Sequence, residues 1–447
     1  MRKLERKWSR ELVVIGVHSP KFLNERDTVS LRHAILRHGV GHPVVNDRDF
    51  RVFRAYAARA WPTLVFLDPR GKVLGHHEGE APFDALDRVI ADMVREFDAR
   101  GLLDRTPLAS APERVTGEPS LRFPGKVLAH PETGRLVIAD SGHHRIVVAD
   151  LEGRVTAAIG SGAAGFDDGP ADRATFSAPQ GVALHGDRLY VADTENHAIR
   201  LVDLAAGTVT TVAGTGEQLT GPRVGGRARD TRLASPWDLT ILDGTLHVAM
   251  AGTHQLWAMP LGGETIAPHT GDGREALVDG VRGAAAMNQP SGLTHDGRRL
   301  YVADSEASAI RVVDLAPAGE IRTIVGEGLF EFGDRDGVGP AAVRLQHPLG
   351  LAWHDGALWI ADTYNHKIKR LDPATASCVT VLGTGGPGAD DGPGAAASFS
   401  EPSGVSVAGG RLYVADTNNH AVRVADPERA TVATLGLVGL EPPRRGD

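Results

Sequence analysis

The chain has 447 residues, of which 42% are hydrophobic and 23% are charged, and its formal net charge is −8 at pH 7. A single cysteine, Cys378, excludes an intrachain disulfide and a cysteine metal cluster. Residues 1–105 carry 19 Lys and Arg against 15 Asp and Glu, which leaves 29 against 41 for the remainder. That acidic remainder argues against a nucleic-acid partner.

The amino end of the chain is charged and has no apolar segment behind it, and no run of eighteen apolar residues occurs anywhere. The sequence therefore predicts neither a signal peptide nor a membrane span, and we expect a cytoplasmic location with no membrane partner.

Residues 1–103 alternate between helix-like and strand-like patterns, as in an α/β domain. The segment 11–17 is a short β-branched run typical of a buried strand. The segment 25–38 has apolar residues at helical spacing and Gly39 after its last turn. Further helices are predicted at 1–10, 49–59 and 82–100, and further extended segments at 43–45, 63–67 and 72–76.

Residues 104–120 hold three prolines and few apolar residues, so we predict an interdomain linker there. Residues 121–440 form the second predicted domain, and residues 441–447 form a tail that we expect to be frayed.

The second domain is organised around a repeated stretch, which reads LYVADTNNHAVRVAD at residues 412–426. Close copies begin at residues 136, 189, 246, 300 and 358. The aspartate that marks the repeat recurs every 53 to 58 residues, and methionine replaces it once. A fixed period of this size predicts an array of one supersecondary unit. The marker residues are Asp140, Asp193, Met250, Asp304, Asp362 and Asp416.

Each repeat predicts four strands. Two short apolar runs flank a polar corner and form a hairpin, a Pro-x-Gly segment with an apolar run precedes them, and a fourth run ends in glycine. Such a sheet is apolar on both faces and cannot bury itself, so six copies must stack in a ring. The fold class is therefore mainly β, with a six-bladed β-propeller.

The corner sequence Ala-Asp-Thr-x-Asn-His, seen at 192–197, 361–366 and 415–420, resembles the signature of NHL repeats. The segments 123–127, 141–146, 235–239 and 251–256 extend this resemblance to the family in which a thioredoxin-like domain precedes an NHL propeller. The resemblance covers nearly the whole chain. Within it, Trp61-Pro62-Thr63 resembles the cis-proline corner of the thioredoxin fold.

The same resemblance implies that the thioredoxin-like domain is incomplete. Family members begin with a central strand and a helix that carries Cys-x-x-Cys, and this sequence starts after both. We expect either that the start codon was assigned too far downstream, which we favour, or that the domain has become a packing module.

The corner aspartates and histidines could form a metal or acid–base cluster, or they could be structural. We predict the structural role, in which aspartate caps the corner and histidine packs between blades, because a catalytic site does not recur in every blade. The histidines are His144, His197, His254, His366 and His420.

The connections between blades carry a second pattern, Asp-Asp-Gly-Pro followed by Phe-Ser-x-Pro, at 167–179 and 390–402. It predicts Asx turns with an aromatic anchor. An acidic rim that attracts a cation or a basic segment is the alternative.

Departures from the repeat are better candidates for a binding site. Lys126 and Asp238 replace the glycine of Pro-x-Gly in blades one and three, and Trp237 lies beside Asp238. His143 and Met250 are further departures. We expect Lys126, Trp237 and Asp238 near the mouth of the channel, and all five residues are candidates for binding a partner. A blade-specific salt bridge is the alternative.

These observations favour a non-catalytic interaction module whose loop face binds a protein segment or a small polar ligand. No catalytic residue, metal site or cofactor is predicted. The first alternative is a truncated thiol-disulfide oxidoreductase with an NHL propeller, and the weaker one is a propeller hydrolase or lyase.

Overall fold

The computed structural model describes residues 1–79, 81–106, 117 and 119–443. It divides into two compact units, residues 1–117 and residues 118–447. Most of the predicted linker and the last four residues of the predicted tail lie outside the described residues. No helix of the described part is long and apolar enough to span a membrane.

The first unit combines helices with two separate pairs of strands. A parallel pair and an antiparallel pair are present, and they do not join into one sheet. The helices are Arg2–Lys7, Thr28–Arg37, Arg51–Ala55 and Phe83–Ala99. The strands are Gly16–His18 paired with Val44–Asn46, and Thr63–Leu67 paired with Val73–Glu78.

The predicted strand at 11–17 is mostly wrong, because regular pairing covers only Gly16–His18. Its partner strand is three residues long, so only three residues find hydrogen-bond partners and the preceding segment leaves Val13 and Ile15 exposed. The helix Phe83–Ala99 instead agrees with the prediction within one residue at each end. It buries Leu86 and Ile90 at helical spacing.

Trp61 and Pro62 form a corner at the start of the antiparallel pair. Their peptide bond is cis. The Trp61 ring stacks on Phe53 with ring centroids 5.0 Å apart, and its Nε1 donates to the Ser19 carbonyl at 3.0 Å. The corner therefore connects three parts of the first unit.

The second unit is a six-bladed propeller in which each blade has four antiparallel strands. Blades 1 to 3 consist of Val127–His130, Arg135–Asp140, Arg145–Asp150 and Val155–Ile159; Val182–His185, Arg188–Asp193, Ala198–Asp203 and Thr208–Ala213; and Pro236–Leu242, Thr245–Met250, Gln255–Pro260 and Thr265–Thr270. Blades 4 to 6 consist of Pro290–His295, Arg299–Asp304, Ala309–Asp314 and Glu320–Val325; Gly350–His354, Ala357–Asp362, Lys367–Asp372 and Ser377–Leu382; and Pro402–Ala408, Arg411–Asp416, Ala421–Asp426 and Thr431–Thr434.

A short outer strand completes blades 2 to 6. The connection that leads into each of these blades places two residues against the blade's fourth strand, which gives a sheet of five strands. These short strands are Gly169–Pro170, Gly226–Arg227, Gly280–Val281, Gly337–Val338 and Gly392–Pro393.

The carboxyl end closes the ring by taking the outer place in blade 1. The Val155 amide donates to the Val438 carbonyl at 3.0 Å, and the Val438 amide donates to the Gly153 carbonyl at 2.9 Å. Leu440 is buried in the seam between blades 1 and 6, and Arg145 donates to the carbonyl of Glu441 at 2.9 Å. The predicted tail is therefore tied down where it begins.

Apolar side chains fill the seams between blades. The two aromatic residues of the connection pattern, Phe176 and Phe399, are fully buried, as the anchor prediction requires. The second strand of each blade, which ends at the marker residue, alternates its side chains between the two faces of the blade. Val137 and Ile138 therefore enter different seams. Because both faces of these second strands are buried, they carry apolar residues at successive positions and not only at alternate ones.

Candidate functional site

The corner aspartates are fully buried and each finds several hydrogen-bond donors. In blade 2, Asp193 accepts from the Ser177 amide at 2.7 Å, from the Asn196 side chain at 2.8 Å and from Arg200 at 2.8 Å. Burial raises the pKa of the Asp193 carboxyl to about 6, although these donors oppose the shift. The carboxylate is thus ionised at neutral pH and committed to internal contacts.

Each buried aspartate has a cationic partner on the third strand of its blade or close to its start. Blades 4 and 6 repeat the blade 2 pair at 2.9 and 2.8 Å, and blade 5 uses a lysine at 3.8 Å. In blade 1, Asp140 bonds Arg145 and His143. The other pairs are Asp304 with Arg311, Asp362 with Lys369, and Asp416 with Arg423.

The basic partners were missed in the sequence analysis. In four blades a cation lies seven residues after the marker aspartate, and in blades 2, 4 and 6 it stands inside an otherwise apolar run. A charged residue at a fixed offset in an apolar run was the available signal, because buried charges are paired.

The corner histidines connect neighbouring blades. Nδ1 of each ring accepts the backbone N–H of a residue at the start of the next blade, at 3.0 to 3.2 Å. This is the structural arrangement predicted for them. The bonds run from Ala178 to His144, Ser235 to His197, Gln289 to His254, Glu401 to His366 and Phe123 to His420.

Lys126 and Asp238 meet inside the ring, not at its surface. The Lys126 Nζ lies 3.4 Å from Asp238 Oδ2, donates to the Ser291 carbonyl at 2.9 Å and also bonds the Leu349 carbonyl. The lysine belongs to blade 1 while these partners belong to blades 3, 4 and 5. Its side chain therefore crosses the centre of the ring.

The axis is closely packed around this pair. A Cβ added at Gly181 would lie 2.4 Å from the Cα of Asp238, and one at Gly404 would lie 2.9 Å from the Cα of Lys126. The glycine of Pro-x-Gly is thus required by backbone approach between neighbouring blades. Burial lowers the pKa of Lys126 and raises that of Asp238, and the charge of each partner opposes the shift.

The expectation that the residues of the strand entry lie at the channel mouth, in contact with solvent, is wrong for Lys126 and Asp238. Lys126, Asp238, His143 and Met250 are buried. The salt-bridge alternative describes the first two, because desolvation of one charge requires the other. His143 Nδ1 lies 2.9 Å from Asp140 Oδ2, so this histidine takes the place of the corner asparagine.

Trp237 is half-buried and is the partly exposed member of the five. Its carbonyl accepts the Gly181 amide at 3.0 Å, which fixes the backbone at the rim of the axis. A fixed, partly exposed tryptophan offers a broad contact surface at low entropic cost.

Thiol and metal chemistry find no support in the described residues. Cys378 is buried, and burial raises the pKa of its thiol to about 12. Among the residues that the structure describes, no group of three or more His, Cys, Asp or Glu could hold a metal ion.

The connections expose several large apolar side chains and border a shallow cleft. Val224 and Phe330 are each 69% exposed. The cleft, of about 400 Å³, lies beside the connection into blade 2, and its lining includes Phe166, Asp168 and Arg229. Both acids in its lining are already engaged, because Asp168 bonds the buried Arg200 at 2.9 Å and Asp167 accepts from the Thr175 hydroxyl at 3.2 Å.

Comparison with known proteins agrees with this architecture. The NHL repeat model matches residues 176–200 and 399–425. The chain is 42% identical over 465 residues to the Arabidopsis thaliana protein SUPPRESSOR OF QUENCHING 1, chloroplastic, covering 98% of this chain and 44% of that protein. It is 40% identical over 466 residues to the human NHL repeat-containing protein 2, covering 96% of this chain and 64% of that protein.

A solved structure shares the fold. A Bacteroides thetaiotaomicron protein of unknown function superposes with a TM-score of 0.50 at 15% identity, covering 71% of this chain and 70% of that chain. The chain is thus an NHL-repeat protein with a six-bladed β-propeller. More particularly, it is a homologue of NHL repeat-containing protein 2, and it spans roughly half to two thirds of the length of these curated relatives.

Proposed function

We propose that the propeller is a non-catalytic interaction module that binds a protein segment at the loop face around Trp237. The observation that carries the proposal is the contrast at the axis. The charged departures from the repeat are buried and paired with each other, while Trp237 beside them is only partly buried. Tryptophan is over-represented among residues that dominate binding energy.

A protein segment is favoured over a small polar ligand by the shape of this face. Small-molecule sites are usually concave and enclose most of the ligand. The axis is filled by the Lys126–Asp238 pair, and the cleft near Arg229 is open. A segment that lies across the rim needs no deep cavity, so it suits this surface better. We expect no nucleic acid partner because the second unit is acidic.

Selection from a displayed peptide library on the purified protein tests this proposal. We expect enriched peptides to bind with micromolar Kd and to lose roughly thirtyfold in affinity on Trp237→Ala, since loss of a central tryptophan costs about 2 kcal/mol. Val379→Ala is the control, because this residue is exposed on the fourth strand of blade 5. Absence of enrichment, or equal affinity for Trp237→Ala, would overturn the proposal.

The oxidoreductase alternative stays a prediction about a longer protein. A dithiol mechanism needs two cysteines, and this sequence has one, which is buried in blade 5. The thioredoxin-like nature of residues 1–103 likewise remains a prediction. We keep the cytoplasm as the proposed location, and one relative is named as chloroplastic.

A further inference from the structure

The seam between blades 3 and 4 contains an unusual group of histidines. His247 on the second strand of blade 3 and His269 on its fourth strand have ring centroids 5.3 Å apart. His295, at the end of the first strand of blade 4, and Arg282, in the connection between the blades, lie against them. Four basic side chains thus share one seam.

His247 is the most constrained member of this group. It is 4% exposed, and its Nδ1 is buried with no hydrogen-bond partner among the described residues. Its cross-strand neighbours are Thr240 and Ala258, neither of which carries a charge. Burial and the positive groups nearby lower the pKa of His247 to about 4.

His269 has a hydrogen-bond partner at each of its ring nitrogens. Its Nε2 accepts from Arg282 Nη1 at 3.0 Å, and its Nδ1 lies 2.8 Å from the Thr270 hydroxyl. A proton added at Nε2 would remove the acceptor of Arg282 and place two positive charges side by side. Burial and Arg282 lower the pKa of His269 to about 4.

The remaining charged groups around the seam do not offset this. Burial also lowers the pKa of His295, while Asp243 and Asp296, which face it from the hairpin turns, oppose that shift. Asp296 is engaged by Arg299 and Tyr301. The acidic groups thus lie on the His295 side of the cluster.

The same seam also lacks a hydrogen bond that the other five contain. In those seams a corner serine or threonine donates its hydroxyl to the carbonyl of the next blade's Pro-x-Gly proline. Ala251 stands at this position in blade 3. The corner histidine bond across this seam, from Gln289 to His254, is 3.2 Å against 3.0 Å in the other four.

We propose that His247 and His269 make the seam between blades 3 and 4 an acid-sensitive joint, at which the ring loosens before any other seam when the solution is acidified. The sign follows from linkage. A histidine whose pKa is lower in the closed seam than in water binds its proton in the open state first, so falling pH favours opening. Stability that is present above pH 6.5 is therefore lost progressively as the pH falls toward 4.

Hydrogen exchange by mass spectrometry at pH 7.5 and pH 5, corrected for intrinsic rates, tests the proposal. A shift from 6.5 to about 4 increases the opening constant roughly thirtyfold at pH 5 for each histidine. We expect amide exchange to accelerate accordingly in Thr265–Thr270 and Pro290–His295. The equivalent strands of the seam between blades 5 and 6, Ser377–Leu382 and Pro402–Ala408, should change far less. Equal acceleration in both seams would overturn the proposal.

Two variants assign the effect to the histidines. Glutamine does not titrate, and in His269→Gln it keeps an acceptor for Arg282. Each substitution should therefore reduce the increase in exchange between pH 7.5 and pH 5 by a factor of about thirty. His354→Gln is the control, because this histidine is exposed at the end of the first strand of blade 5. An acid response in both glutamine variants that equals that of the native protein would contradict the assignment. If neither variant folds, the comparison of seams in the native protein decides.

Discussion

Blades 2 and 3 solve the same packing problem with opposite chemistry. In blade 2 the corner position and the third strand carry Asp193 and Arg200, both fully buried and 2.8 Å apart. In blade 3 the same two positions carry Met250 and Trp257, also fully buried. A buried ion pair and an apolar pair of similar bulk thus occupy equivalent sites, so the fold requires matched partners and not charge itself.

The surroundings of each pair show how it is completed. Arg200 lies over the rings of Phe166 and Phe176, and it also donates to the carbonyl of Thr175 at 2.8 Å. Trp257 instead donates its indole N–H toward Thr253 and Gln255 at 3.2 Å. The indole N–H of Trp257 and both terminal nitrogens of Arg200 are satisfied by nearby groups, as burial demands, whereas Arg200 Nε is buried with no hydrogen-bond partner among the described residues.

The largest loss of stability is expected when one charge of blade 2 is left alone. Arg200→Met keeps an unbranched apolar stem but leaves the Asp193 carboxylate buried without its cation. We expect a loss of about 3 to 5 kcal/mol in the free energy of unfolding, measured by urea denaturation. A loss under about 1 kcal/mol would mean that water reaches the carboxylate and that the pair contributes little.

Truncation of the apolar pair should cost nearly as much for a different reason. Trp257→Ala removes the largest fully buried side chain of blade 3 and leaves a cavity. We expect a loss of about 3 to 5 kcal/mol at neutral pH. Because neither member of this pair carries a charge, the loss of stability should be the same at pH 5.5 and pH 8. A loss that depends strongly on pH would contradict the view that blade 3 uses an uncharged pair.

The axial pair provides the next test. Asp238→Gly restores the glycine of the repeat, yet it removes the partner of Lys126 and the acceptor of the Leu293 amide, which bonds Asp238 at 2.9 Å. We expect a loss of about 2 to 4 kcal/mol in thermal or urea unfolding. The double variant Lys126→Met, Asp238→Asn should lose less stability than Asp238→Gly, because it leaves no unpaired charge at the axis. Stabilisation by Asp238→Gly would show that the glycine rule dominates.

The histidine bond between blades should give the smallest effect. His197→Ala removes the acceptor of the Ser235 amide but leaves the hydrogen bonds of Asp193 in place. We expect a loss of about 1 to 2 kcal/mol. His185→Ala is the control, since His185 is exposed at the end of the first strand of blade 2, and its effect should stay within about 0.5 kcal/mol.

Much of the propeller could be predicted because its information is local and repeated. The corner and the two strands around it lie within fifteen residues, so the pattern that recurs at residues 189 and 412 is sufficient to define strands and turns. The aromatic anchors and the bridging histidines follow from the same repetition. Pairs that lie seven residues apart, such as Asp193 and Arg200, were within reach of the same reasoning.

The axis and the ring closure could not be predicted in this way. The lysine at the axis bonds Ser291 and Leu349, which lie 165 and 223 residues further along the chain. The sequence shows that this lysine departs from the repeat. Its burial could not be predicted, because it depends on blades on the far side of the ring. Val438 closes the ring through backbone bonds, which leave no mark on residue type.

A double-mutant cycle at Asp193 and Arg200 tests most directly whether the repeated charges are structural pairs. Asp193→Asn should destabilise the native protein by about 1 to 3 kcal/mol, because the amide loses the charge that holds Arg200. In the Arg200→Met background the same change should stabilise, since the amide keeps an acceptor for the Ser177 amide and removes the unpaired buried charge. Destabilisation of similar size in both backgrounds would contradict the account.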